Sequence, residues 1–313
     1  MEASEFKSKF IGCMIGCAVG DALGASLEGT SLRSTLKIRD LDFDGKWTDD
    51  THMMIGVAES LIANKGFNGE HMAWTFIKNW EREPWRGYGP GPPRVFRMIR
   101  SGIAWNEAAK RLYGGMGSFG NGAAMRVAPI GLLYYDDEGK LRETAYRSAE
   151  ITHTHTLGRE GAALQAYAVA LALKINREHF NPLAFMDRLI AFTRVPAYKS
   201  KLKIAKVLLD SNDRLEIIRK LGNYVEALNS VPTAIYSFAK NPQSYAETVL
   251  YAVSLGGDAD TIGAMAGAIA GAYHGVEGIP STWVQKLERK DYIAKLAEEL
   301  WKIKAKWKRQ HYR

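Results

Sequence analysis

Cysteine is nearly absent from this chain of 313 residues; Cys13 and Cys17 are the only two. That excludes a disulfide framework and leaves no set of thiols to complete a Cys-based zinc site. Both lie one helical turn apart in an apolar stretch and read as small buried core residues. Such cysteine use fits a reducing compartment, the cytoplasm. Long uncharged runs are lacking too. The apolar stretch Phe10–Gly20 has 11 residues before Asp21 interrupts it, which is short for a membrane span, so no membrane partner is expected. The first nine residues are charged and do not resemble a signal sequence.

Sustained period-two alternation is missing as well, so no sheet is expected. There is no flexible linker and no domain-sized shift in composition. The fold class expected is therefore all-α, with one domain over residues 1–313. Hydrophobic content of 46% and charged content of 24% are ordinary for a globular chain. The net charge of +8 is unevenly placed: Lys286–Arg313 holds ten Lys/Arg against four Asp/Glu. This closing segment, a basic helix over about 288–310, could touch nucleic acid through Trp301–Arg309. An amphipathic surface helix with solvated lysines is the favoured reading.

What the chain does have is two short clusters of oxygen donors, Thr48-Asp49-Asp50-Thr51 and Asp258-Ala259-Asp260-Thr261, about two hundred residues apart. Each precedes a helical apolar pattern. Clustered carboxylates and hydroxyls suit hard divalent cations such as Mg²⁺ or Mn²⁺. Thr48 or Asp49 alone could be a helix N-cap, but a second adjacent aspartate exceeds what capping requires.

Glycine is abundant and patterned. Gly12, Gly16, Gly20 and Gly24 recur every four residues in a helix expected over Phe6–Leu27, and Gly263, Gly267, Gly271 and Gly275 repeat the device. Each glycine costs a helix about 1 kcal/mol relative to alanine, so two ladders need a reason. A flat glycine strip admits another backbone at close range and could bring the two acidic segments together. Asp21 and Glu28 are two turns apart and share a face if the first helix persists. The alternative is one buried carboxylate held by backbone and one exposed cap.

Between these lie Thr30–Lys46, an irregular connection, and Pro84–Pro93, an ordered surface loop rich in glycine, proline and aromatics. Tyr113–Arg126 is the richest glycine loop and opens onto the apolar run Val127–Leu133, expected as a buried helix. Glycines there could let backbone N–H groups meet a phosphate, or could simply turn the chain; there is no Walker lysine. His153 and His155 precede a central helix over Leu157–Ile175, and hydrogen bonding is favoured over metal ligation for them. Pro182–Phe192, Lys199–Leu209, Tyr224–Phe238 and Ser244–Leu255 read as scaffold helices, and Val276–Pro280 as a turn.

Five blocks taken together resemble the ADP-ribosylglycohydrolase family: Gly20-Asp21 through Glu28, Trp47–Thr51, Gly117–Arg126, Thr152-His153, and Gly257–Gly263. The resemblance implies a compact, mostly orthogonal multi-helix domain with two Mg²⁺ (or Mn²⁺) ions in a cleft. It implies as metal ligands Thr48, Asp49, Asp50, Asp258, Asp260 and Thr261, and as substrate-binding residues Ser118, Phe119, Gly120, Asn121 and His153. Glu28 and Asp49 would be the catalytic groups, removing ADP-ribose from a modified protein or a small adduct. A glutamate at the place of Glu28 marks the branch that cleaves O-linked ADP-ribose, whereas the arginine-specific branch generally lacks it. Two other readings remain beside this one. An all-α Mg²⁺-dependent diphosphate enzyme would need a third aspartate, which Asp49-Asp50-Thr-His-Met does not supply. A non-enzymatic module could bind ADP-ribose or nucleic acid in the cleft and along the basic helix.

Overall fold

The computed structural model describes residues 3–32, 43–176 and 179–311. At its centre, helix α1 (Ala3–Ala25) and a late helix, α14 (Ala259–His274), run antiparallel in the most extensive helix–helix contact among the described residues. The glycine ladders make this contact. A Cβ placed at Gly12 or Gly16 would lie 2.5 Å from the carbonyl oxygen of Gly271 or Gly267, and one at Gly263 would lie 2.5 Å from Gly20 O. Such approaches are far inside ordinary carbon–oxygen contact, so any side chain there forces the helices apart. Because the pairs run Gly12–Gly271, Gly16–Gly267 and Gly20–Gly263, the end of α1 meets the beginning of α14.

Around this pair pack α2 (Asp49–Asn64), α3 (Gly69–Arg82), α4 (Gly91–Arg100), the short α5 (Gly122–Met125) and α6 (Ala128–Leu133), α7 (Glu138–Glu150) and α8 (Thr156–Lys174). The second half adds α9 (Pro182–Phe192), α10 (Pro196–Val207), α11 (Arg214–Leu221), α12 (Ala227–Lys240), α13 (Tyr245–Ser254), α15 (Ser281–Lys286) and α16 (Lys290–His311). Among the described residues there is no strand, only an isolated bridge between Gly120 and Glu226. The all-α expectation holds, and α8 is buried along nearly its whole length, as an apolar all-round pattern requires. Lys9 of α1 is buried against its end, donating to Leu173 O (3.3 Å) and Ile175 O (3.1 Å).

Several boundaries differ from expectation, each for a local reason. The first helix stops at Ala25, so Glu28 reaches its place through a turn rather than along a helical face. Helix α12 begins at Ala227, not Tyr224, because Glu226 is extended and the backbone of Val225 and Ala227 pairs with the glycine loop. Helix α10 starts earlier, at Pro196, whose fixed φ suits a first turn. The stretch Ser4–Ala25 is long and apolar enough to cross a bilayer, contrary to the length argument from its uncharged run, and most of it is buried inside the fold. Asp21 interrupts the charge-free run without ending the helix. Much of the expected connection Thr30–Lys46, its residues 33–42, lies outside the described residues.

The basic helix is amphipathic. Ile293, Leu296, Ala297 and Leu300 of α16 are buried, facing α1, α2 and α6. Lys302, Lys306, Lys308 and Arg309 are exposed. Cys13 and Cys17 are free and fully buried.

Candidate active site

The antiparallel α1–α14 contact delivers two carboxylate-bearing ends to one place. Past Ala25 the chain turns, and Gly29 N donates to Gly257 O (2.7 Å) while Gly257 N donates to Thr30 O (3.2 Å). Gly256 and Gly257 sit at φ +67° and +69°, where only glycine is unstrained. This pairing sets Glu28, exposed on its turn, beside Asp258 and Asp260 at the start of α14. One carboxylate oxygen from each of the three lies within 4.8 Å of the others.

Asp21 brings in the third element. It is fully buried and accepts from Thr48 N (3.0 Å), Thr48 Oγ1 (2.9 Å), Thr51 N (3.0 Å) and Thr51 Oγ1 (2.6 Å). The beginning of α2 is thereby fastened to the end of α1. Thr48 is also the N-cap of α2, its hydroxyl accepting from Asp50 N, so the capping reading of this segment is correct as far as it goes. The extra aspartates do something else. Asp49 and Asp50 face a cavity of about 570 Å³ together with Glu28, Asp258, Asp260 and Thr261. Thr48 lies on the wall of a neighbouring cavity.

Burial and mutual repulsion raise these carboxylates in the absence of a counter-charge. Burial, then the charges of Asp21, Asp258 and Glu28, push Asp49 up to about 8. Asp21 and Asp258 rise to about 6, chiefly through burial. Asp50 and Asp260 rise well above the ordinary carboxylate range for the same reason, reinforced by their neighbours. Asp50 Oδ1 is buried with no hydrogen-bond donor among the described residues. A missing positive charge and an orphaned carboxylate oxygen are what a divalent cation corrects, and an all-oxygen donor set suits Mg²⁺ or Mn²⁺. The residues fit such an ion.

The opposite wall of the cavity is the glycine loop. Ser118, Phe119, Gly120, Asn121 and Gly122 line it, with Thr152 and His153 behind them. The residues leading into α12 pin the loop: Asn121 N donates to Val225 O (2.9 Å) and Ala227 N to Phe119 O (3.0 Å). Asn121 ties it to the acidic group, its amide donating to Asp258 Oδ2 and to Ser230 Oγ (3.0 Å). Gly122 packs on His153, where a Cβ would come within 2.8 Å of the imidazole. Burial and the nearby Arg126 hold His153 down to about 3, so it is neutral, with Nδ1 2.7 Å from Thr152 Oγ1. His155 is instead the N-cap of α8, accepting from Leu157 N (3.1 Å). Phe119 is 45% exposed at the mouth, edge-on to His155.

An acidic ion-ready end, a glycine loop suited to phosphate and an exposed aromatic ring now share one cleft. The family model for ADP-ribosylglycohydrolase matches residues 2–310. The chain belongs to that family. As a member it is a hydrolase of glycosidic bonds to ADP-ribose. It is 38% identical to ADP-ribosylhydrolase ARH3 of Bos taurus, over 96% of this chain and 94% of the relative. More distant is ADP-ribosylarginine hydrolase Tri1 of Pseudomonas putida, 26% identical over 82% of this chain and 66% of that protein. A solved structure, an ADP-ribosylglycohydrolase-related protein complex, superposes with a TM-score of 0.75 at 27% identity, covering 96% of this chain and 99% of that one.

Some members of the cleft carry little signal in sequence. Asp21, behind the cleft wall, is the buried carboxylate held by backbone that the sequence allowed as an alternative, but its part as the clamp on α2 emerges only from the fold. Val225 and Glu226 line the cavity from a segment whose composition suggests helix. Gly87, Gly89, Pro90 and Gly91 also line it, and their density of glycine and proline marks a loop without saying where it goes.

Proposed function

We propose that this glycohydrolase removes O-linked ADP-ribose from modified protein or a small adduct, in the cytoplasm, with two Mg²⁺ or Mn²⁺ ions. The observation that carries the reading is the approach of Glu28 to Asp258 and Asp260 in the cavity that the glycine loop closes. Glutamate at this position is the mark of the O-linked branch in the family resemblance, and the lower identity to an arginine hydrolase agrees with it.

Asp49, Asp50, Asp258, Asp260, Thr261 and Thr48 are the residues that would hold the ions. When bound, the ions would neutralise the cluster, orient the distal ribose oxygens and acidify a water. The loop Ser118–Asn121, which lines the cavity, would receive the diphosphate through groups other than the Gly120 and Asn121 amides, which already donate to Ser118 Oγ and Val225 O. Neutral His153 would hydrogen-bond within the same cleft without adding charge. Phe119 would cover the adenosine portion with its exposed ring. Glu28, on a solvent-facing turn, would take the proton from the attacking water at the anomeric carbon, or Asp49 would. General-base catalysis by a placed carboxylate contributes about 10²–10⁴-fold.

The test is a panel of serine-, arginine- and O-acetyl-linked ADP-ribose incubated with Mg²⁺, with and without EDTA. Release of ADP-ribose from the two O-linked compounds, abolished by EDTA, is expected. Cleavage of the arginine adduct alone would overturn the branch, and EDTA-resistant turnover would remove the metal part. Turnover unchanged in Glu28→Ala would take that residue out of the chemistry.

A further inference from the structure

Beside the cleft lies a second cavity of about 740 Å³, lined by Lys46, Trp47, Thr48, Trp85, Arg86 and Gly87 among others. The two cavities meet at the acidic end. Gly87 lines both, and a Cβ placed on it would lie 3.7 Å from Asp49 Oδ1 and 3.9 Å from Thr48 Cβ. At φ +91° this position favours glycine, and it stands where the two cavities adjoin.

Trp85 stands at this second cavity with 73% of its surface exposed. Its loop is held firmly. Arg86 donates to Glu288 Oε1 (2.7 Å) and Oε2 (2.8 Å), to Glu83, and to Trp47 O (3.1 Å). Its guanidinium lies 3.8 Å over the Trp47 ring. Trp47 is itself buried, its indole N–H donating to Glu288 O (2.9 Å). A large ring held out into water by a braced loop is preorganised for contact with a partner chain, and tryptophan is a residue type enriched among binding hot spots. Exposed Asp44 and Lys46 line the same cavity, so aromatic and charged groups are offered together, as at protein interfaces.

We infer that this second cavity seats the polypeptide that carries the ADP-ribose. The inference rests on the hydrolase reading above, and commits to polypeptide over small adduct. With the nucleotide along the glycine loop, the bond to be cut lies at the carboxylates, and the leaving group extends past Asp49 and Gly87. There Trp85 packs on the chain flanking the modified residue. A small acyl adduct ends before reaching the ring.

The variants to compare are Trp85→Ala and Trp85→Phe, in the full chain. Labelled serine-ADP-ribosylated peptide and free ADP-ribose are titrated by fluorescence anisotropy and calorimetry, and kcat and KM are measured on the peptide and on O-acetyl-ADP-ribose. Trp85→Ala is expected to weaken peptide binding and raise its KM by about 10-fold, the size of a modest hot spot. Affinity for free ADP-ribose and turnover of the small adduct are expected to stay within about 2-fold, and Trp85→Phe to recover most of the loss. Equal weakening of peptide and free ADP-ribose overturns the inference, as does no weakening of either. So does a change of oligomeric state in Trp85→Ala, which would make the ring a contact between copies. If the wild-type enzyme binds both ligands but hydrolyses neither, the hydrolytic reading fails while the peptide-to-nucleotide affinity ratio in Trp85→Ala still decides the subsite.

Discussion

Asp21 on α1 and Thr51 on α2 are joined twice, by the Thr51 amide at 3.0 Å and its hydroxyl at 2.6 Å, both onto Asp21 Oδ2. With the matching pair from Thr48 onto Oδ1, one buried carboxylate satisfies four donors at the start of a helix. The aspartates that face the cleft are therefore positioned by one that does not. Asp21→Asn turns one carboxylate oxygen into an N–H group aimed at N–H and O–H donors. Leaving such groups unmatched costs about 1–3 kcal/mol each. The variant is expected to lose that much stability in urea unfolding and most of its turnover. Full activity would show that α2 is positioned without this clamp.

The glycine ladder gives a second expectation. At Gly16 a Cβ would lie 2.5 Å from Gly267 O and 2.9 Å from the ring of Tyr245. Gly16→Ala is therefore expected to push the central helices apart, costing about 1–3 kcal/mol as overpacking does. The end of α1 would shift with them, so activity should fall along with stability. Gly89→Ala is the control, because a Cβ there meets nothing within 4 Å. Thermal unfolding of the two proteins checks it, and equal melting temperatures would count against the ladder as a spacing device.

These two features differ in how far the sequence reveals them. Glycine every fourth residue is visible on inspection, and helix geometry turns that spacing into a strip. What it cannot show is the partner or direction, and the antiparallel pairing with Gly263–Gly271 decides that the two acidic ends coincide. The acidic segments themselves are legible because adjacent aspartates exceed what capping needs. Asp21 is legible only as a carboxylate that backbone could hold; its partners, 27 and 30 residues away, are not. Val225 and Glu226 are misread for the opposite reason: their composition favours helix, while pairing with the glycine loop keeps them out of it.

The carboxylates should also make stability depend on pH in a way that a divalent cation reverses. Asp49 is raised to about 8 in the folded, cation-free protein, against about 3.9 for an unfolded aspartate. The folded state then binds more protons than the unfolded one over that range, so stability falls as pH rises. His52 and His153 are lowered by burial, to about 4 and about 3, and act oppositely only below about 6.5. From pH 6.5 toward 8 the opposing histidine contribution fades and the carboxylate one comes to dominate, joined near pH 8 by the buried thiols of Cys13 and Cys17, which are raised and act in the same sense. In EDTA, the melting temperature is expected to drop across that window. With Mg²⁺ or Mn²⁺ in excess the carboxylates stay ionised, and the drop should vanish. A melting temperature that is flat in EDTA and unmoved by either ion would argue against a cation site.

The basic helix separates packing from charge. Lys304 is buried and ion-paired with Asp136, and the ring of Trp307 lies 5.7 Å from that of Tyr134. Ending the chain after Lys302 removes this packing along with the lysines, so loss of any function in that variant would say nothing about charge. Its expected effect is a stability loss of about 3 kcal/mol, the cost of deleting a packed tryptophan. Lys306 and Arg309 are exposed, and replacing both with alanine should leave stability within about 0.5 kcal/mol. If the helix touches nucleic acid, that double variant should bind DNA more weakly and with a shallower salt dependence, by about one unit for each phosphate it no longer neutralises. The expected result is no salt-dependent DNA binding in the wild type or the variant, because the helix has a packing role sufficient to account for its apolar face. Hydrolytic activity should be the same in both.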